Sequence, residues 1–159
     1  MKASNATHFE LVVEGLALHE DRQYKKALPY FQRALELCPT CPVATYNLAN
    51  TLHMLSRDTA AVKLLLGLVR TPENELKAGC PDSNWSPRSI CLDAYYILFL
   101  CTIYSTESWS KASPFLRAHL QRRRRGLESI WSKARLIKDA EEIRITFAPR
   151  AKSITDWDF

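Results

Sequence analysis

The stretch Tyr24–Leu35 reads YKKALPYFQRAL, and Trp109–Leu120 reads WSKASPFLRAHL. Each opens on an aromatic, places Lys-Ala after one spacer and Pro-aromatic after another, and sets a leucine six residues beyond the proline. Two segments built in the same order point to a repeated unit. The proline falls about one turn inside a helical pattern, where it ordinarily costs about 3 kcal/mol. The same exception made twice argues for one geometry used twice.

Outward from Tyr24, apolar or small residues recur at Leu11, Val12, Gly15, Leu16 and Leu18, and again at Ala27, Tyr30, Phe31, Ala34 and Leu35. This is the spacing of one face of a helix. The stretch HEDRQ, His19–Gln23, parts the two stripes as a turn, and Pro39 and Pro42 bracket the end. Residues 8–41 therefore predict a helical hairpin. From Pro42 the pattern returns as PVATYNLANTLHMLS, the turn RD and TAAVKLLLGLVR, giving a second hairpin over 42–75. The stretch Thr71–Pro87 is rich in Pro, Gly, Asn, Asp and Ser and reads as a loop or insertion, centred on 76–92, with a short helical turn at ENELKA. Ser86-Pro87 is a helix start. It leads into RSICLDAYYILFLCTIYS, the turn TES and WSKASPFLRAHLQRRRR, a third hairpin over 93–126. Beyond Gly126, Leu127, Ile130, Trp131, Ala134, Ile137, Ala140 and Ile143 predict a last helix over 127–146. Residues 1–7 and 147–159 read as tails, the second loosely ordered because APRAKSITDWDF has no period. No segment alternates as a half-buried strand does, so the class is all-α.

The unit resembles the tetratricopeptide repeat, a 34-residue helix-turn-helix with the pattern W-x2-L-G-x2-Y, A-x3-F, a small residue and a closing proline. The first unit sets Leu11, Glu14, Gly15, Leu18, Ala27, Phe31, Ala34 and Pro39 on those slots. The second offers Thr45, Leu48, Ala49, Leu52, Ala61, Leu65 and Leu68, with Pro72 one residue early. The third, after an insertion of about 17 residues, offers Tyr96, Phe99, Leu100, Ile103, Ala112 and Leu116. It departs from the pattern at Leu100 and His119, where small residues belong, and lacks the proline. The resemblance implies a right-handed α-α superhelix of about three hairpins plus a C-terminal capping helix. Hairpins stack because one alone cannot bury its apolar stripe.

In the family, the first helix of each unit lines a concave face. The resemblance thus implies a groove of Val12, Leu16, His19, Tyr46, Asn50, His53, Ile97, Cys101 and Tyr104, with Phe9 and Ala94 beside them. Apolar anchors with a few polar groups suit a peptide or helix of another protein. A subclass grips acidic chaperone tails with a clamp of cations and asparagines. Asn47 matches one asparagine, but Val12, Leu16, Ala94 and Leu98 hold the other slots, so that function is excluded. The expected role is a non-catalytic adaptor in the cytoplasm, with a protein partner, no small-molecule substrate, no cofactor and a homo-oligomer allowed.

A chain of 159 residues, 47% hydrophobic, is sized for one domain with a real core. Its N-terminus carries no apolar leader, and the run Ala94–Ile103 is about half a membrane span. Five cysteines among helical patterns read as free thiols. Cys38 and Cys41 have metal-knuckle spacing, with Cys80, Cys91 and His53 as the other candidate ligands. They sit on the turn between units without a second tight pair, so no metal is expected. The four histidines form no constellation, and there is no HExxH, GxGxxG or P-loop, which argues against an enzyme. The net charge of +5 is concentrated: Lys111–Arg135 holds eight Lys/Arg against Glu128 alone. Its centre, Arg122, Arg123, Arg124 and Arg125, carries the rival reading, a nucleic-acid or acidic-surface binder.

Overall fold

The computed structural model of the chain describes residues 6–79 and 86–158, which form helices and no strand. Helix α1 spans His8–Glu20, α2 Tyr24–Leu37, α3 Pro42–Met54, α4 Asp58–Arg70, α5 Glu73–Gly79, α6 Pro87–Thr106, α7 Trp109–Arg124 and α8 Lys133–Phe147; a 3-10 turn follows at Ile154–Asp156. Each start has a local cause. Thr7 and Glu10 close a reciprocal capping box on α1. Pro42 opens α3, and Pro87 opens α6 behind Ser86, whose hydroxyl accepts the Ser89 N–H at 3.1 Å.

The hairpin turns reveal the period most directly. In the first, Arg22 takes a left-handed conformation (φ 58°), its N–H reaches the His19 carbonyl, and the Gln23 N–H reaches Leu18. Thirty-four residues on, Ser56 (φ 57°), His53, Arg57 and Leu52 repeat the same two bonds. Glu107 (φ 52°) makes the corresponding turn in the third hairpin. Pro29 and Pro114 sit at the same step of α2 and α7, both exposed, so the carbonyls they leave unbonded face water.

Packing runs in order: α1 on α2, α2 on α3, α3 on α4, α4 on α6 and α6 on α7. The first helices also touch one another, α1 with α3 and α3 with α6. Gly15 permits the closest approach, since a Cβ there would lie 2.7 Å from Phe31 Cε1. Ala27, Ala49, Ala61 and Ala112 are fully buried in the corresponding contacts. The third hairpin has His119 where a small residue stands in the first. It is accommodated by a bond from Nδ1–H to the Leu92 carbonyl at 2.8 Å. One core cluster spans α1 to α6; a second joins α6, α7, α8 and the tail. The shared helix, α6, is long and apolar enough to cross a membrane by composition, but 61% of that window is buried against its neighbours, which accounts for its apolarity.

Two boundaries differ from the sequence reading. The final helix begins at Lys133, not at 127. Gly126 (φ 89°) turns the chain out of α7, and residues 127–132 run as a non-helical strap. Helix α6 begins at Pro87, the start that Ser86-Pro87 signals, so the insertion does not run to 92 and its last six residues belong to α6; α5 supplies the short helical turn and packs on α6. Residues 80–85 of the insertion, Cys80 among them, lie outside the described residues.

The tail is ordered, against expectation. The buried Arg144 guanidinium pairs with Glu141 at 2.7 Å and donates to the Ala151 carbonyl at 2.7 Å. Glu141 in turn accepts the Ile154 N–H at 3.0 Å, and the Arg144 bond holds its carboxyl below the usual range. Ile154 is buried in the second cluster, and Trp157 packs on Trp109 beneath Arg117. A segment without a period is fixed here by contacts with α7 and α8 together with the local bonds of its own 3-10 turn.

Candidate functional site

Helices α1, α3 and α6 share one face, and the strap lies across it. Asp93 on α6, 2% exposed, captures the strap by accepting the Ser129 hydroxyl and the Ile130 N–H. Burial pushes the Asp93 carboxyl up, while those bonds and Arg123 pull it back. Arg123 donates to the Trp131 carbonyl, and the Trp131 ring meets the edge of Tyr96 at 5.3 Å. The strap thus divides the face into two hollows. The first, about 330 Å³, is lined by Leu16, Glu20, Val43, Tyr46, Asn47, Ile90, Asp93 and Ile130. The second, about 550 Å³, lies between α6 and α8, with His53, Tyr96, Leu100, Tyr104, Asp139, Glu142, Ile143 and Phe147 among its walls.

The residues expected in the groove divide accordingly. Leu16 lines the first hollow; His53 and the exposed Tyr104 line the second. Val12, Ile97 and Cys101 are buried in the core instead, as is Ala94, because α1 packs on α2 and α3, and α6 on α3, α4 and α7, which a single-helix reading leaves out. Tyr46 reaches the first hollow but is 7% exposed. Burial, with Asp93 adding to it, pushes its phenol up. His19 and Asn50 link α1 to α3. Thr51 Oγ1 donates to the Asn47 carbonyl, so it accepts from His19 Nδ1–H at 3.0 Å. That leaves His19 Nε2 to accept from Asn50 Nδ2 at 3.5 Å. Burial lowers the His19 pKa, against the pull of Glu20.

Sequence reasoning missed Ile130, Trp131, Asp93 and the α8 residues of the second hollow. Trp131 and Ile130 fit a helical stripe, and nothing local marks Asp93 as the group that captures their backbone. Asn47 donates to the Val43 carbonyl at 2.9 Å and so serves α3 itself.

The four arginines are not equivalent. Arg122 stacks over Tyr95 at 4.2 Å and donates to its hydroxyl, and Arg123 holds the strap; Arg124 and Arg125 are exposed. Cys38 and Cys41 sit together on the α2–α3 turn, and burial with the neighbouring Cys41 pushes the Cys38 thiol up. Among the described residues no third ligand joins them; the group of ligand type that does converge is His53, Asp58 and Cys101. In it Asp58 bonds both other members, an order unlike a nucleophile–base pair, and burial with Asp58 pushes the Cys101 thiol up.

Residues 9–41 match the family described as tetratricopeptide repeat. The match covers the first hairpin, and the second repeats its turn bonds at the same 34-residue step. No curated protein and no solved structure matches the chain.

Proposed function

We propose, for a chain whose first hairpin matches the tetratricopeptide repeat and whose helices stack as such repeats do, a non-catalytic adaptor that receives a segment of another protein on the face of α1, α3 and α6. Repeats of this family are in general protein-interaction modules. The observation that carries the reading is the pair of hollows flanking the strap, walled by aliphatic and aromatic side chains and edged by Glu20, Asp139 and Glu142. Such walls suit a partner segment with apolar anchors and flanking Lys or Arg. The acidic edge also opposes the acidic tails gripped by the cationic clamp.

The basic block favours this reading less than its charge suggests, since Arg122 and Arg123 are engaged within the fold. Affinity capture with mass spectrometry, repeated with Leu16→Glu and Tyr104→Ala, tests the adaptor role. Tyr104 is exposed and Leu16 lies at the core's edge, so helicity is retained while the partner is lost. A partner kept by both variants but lost with Arg124→Ala/Arg125→Ala and at high salt would transfer the role to the basic block.

A further inference from the structure

The two joints between first helices carry the same polar device with different chemistry. At the α1–α3 joint, His19 meets Thr51 and Asn50, groups that only exchange hydrogen bonds. His53 is the counterpart of His19, 34 residues on; Cys101 and Thr102 on α6 are the counterparts of Asn50 and Thr51 once the insertion is counted. At this second joint His53 bonds Asp58, the first residue of α4, and Cys101 bonds the same carboxylate. The Thr102 hydroxyl, in the place of the one that serves His19, is buried without a partner. Three elements therefore bring an imidazole, a carboxylate and a thiol together, their ligand atoms all within 4.8 Å of one another. The side chains of His53 and Asp58 are only 17% and 13% exposed, and Cys101 is buried.

We infer that His53, Asp58 and Cys101 form a binding site for a divalent transition-metal ion of the zinc type. Zinc takes N, O and S donors at about 2.0–2.3 Å in a tetrahedron. Its ligand atoms then lie within the spacing seen here, after the short His53–Asp58 hydrogen bond opens. A nitrogen–oxygen–sulfur set suits Zn2+ or Co2+, and excludes Mg2+ and Ca2+, which take oxygen ligands. Asp58 now receives two hydrogen bonds, from His53 Nδ1–H and Cys101 S–H, where the ion would sit. On binding, the Cys101 S–H bond breaks and its proton leaves to solvent. As a ligand through Nδ1, the His53 ring carries its one proton on Nε2, the Nδ1 proton having moved there by way of water. Thiolate and carboxylate then balance the two positive charges, and no electron is transferred. His53 also lines the hollow between α6 and α8, which gives the ion its entry and leaves the fourth position to water or to a group on a docked partner.

Cobalt titration of the chelator-stripped, reduced full chain tests this. A thiolate-to-cobalt charge-transfer band with intense tetrahedral d–d absorption should appear at one equivalent, bleach on adding Zn2+, and survive Cys38→Ser/Cys41→Ser. Asp58→Asn and Cys101→Ser should each weaken binding at least about tenfold. Zn2+ should raise the melting temperature of the parent chain and not that of Asp58→Asn, a comparison that holds if Cys101→Ser packs poorly. Absence of the band in the parent chain, or a band that survives Cys101→Ser and disappears with the Cys38/Cys41 pair, would overturn the assignment.

Discussion

At the scale of the residue, the fold rests on a few places where size or charge has no slack. Gly15 faces the fully buried Phe31 ring, and a methyl there would meet it at 2.7–3.0 Å. Gly15→Ala gains about 1 kcal/mol of helix propensity but forces the ring to move in a closed core. The expected outcome is a net loss of about 1–2 kcal/mol in urea unfolding. His119 is the opposite case, a large polar group in a small-residue slot. Burial holds its pKa down to about 4, outweighing the Leu92 bond that raises it. In the unfolded chain the same ring titrates near ~6.5. As pH falls from about 6.5 the unfolded chain takes up the proton first, so stability declines until about pH 4 and levels below it. The shift is worth about 3 kcal/mol. Unfolding measured across that range should show this slope, and His119→Gln should flatten it. His19, lowered in the same direction, leaves a remnant.

At the scale of the element, the strap shows a local pattern overruled. Leu127, Ile130, Trp131 and Ala134 have helical spacing, and a helix starting at 127 would satisfy that pattern. It does not form because Gly126 turns the chain and Asp93 offers the strap's backbone a buried acceptor that a first helical turn lacks. The buried carboxylate is in turn satisfied by the strap, with the Arg123 charge nearby. Replacing Asp93 with Ala removes both bonds, at about 1–3 kcal/mol. Hydrogen exchange should then accelerate at residues 129–131 while the α1–α2 hairpin keeps its protection. Equal acceleration throughout the chain would mean that Asp93 supports the whole stack and not the strap in particular.

At the scale of the whole molecule, the stack needs an end. Helix α8 brings Leu136 and Ala140 into the second cluster, and the tail returns along it to add Ile154 to that cluster and to set Trp157 against Trp109. Ile154→Ala should cost about 2–5 kcal/mol, read as a lower melting temperature, with the loss centred on α7 and α8. A cost of a few tenths would show that the tail merely rests on the surface.

What the sequence determined by itself is everything of short range. The helices, their turns, the 34-residue step and the small-against-large contacts of Gly15, Ala27, Ala49, Ala61 and Ala112 all follow from spacings within one hairpin, where neighbours in space are neighbours in the chain. Tertiary structure alone decided which of the nominal groove residues stay open, since Val12, Ile97 and Cys101 are covered by elements whose approach no periodicity encodes. It also decided the course of the strap, the order of the tail and the meeting of His53 and Asp58 with Cys101. In each case the deciding partner lies a dozen or more residues away, and closing that distance is favourable only once the stacked hairpins have already fixed both ends.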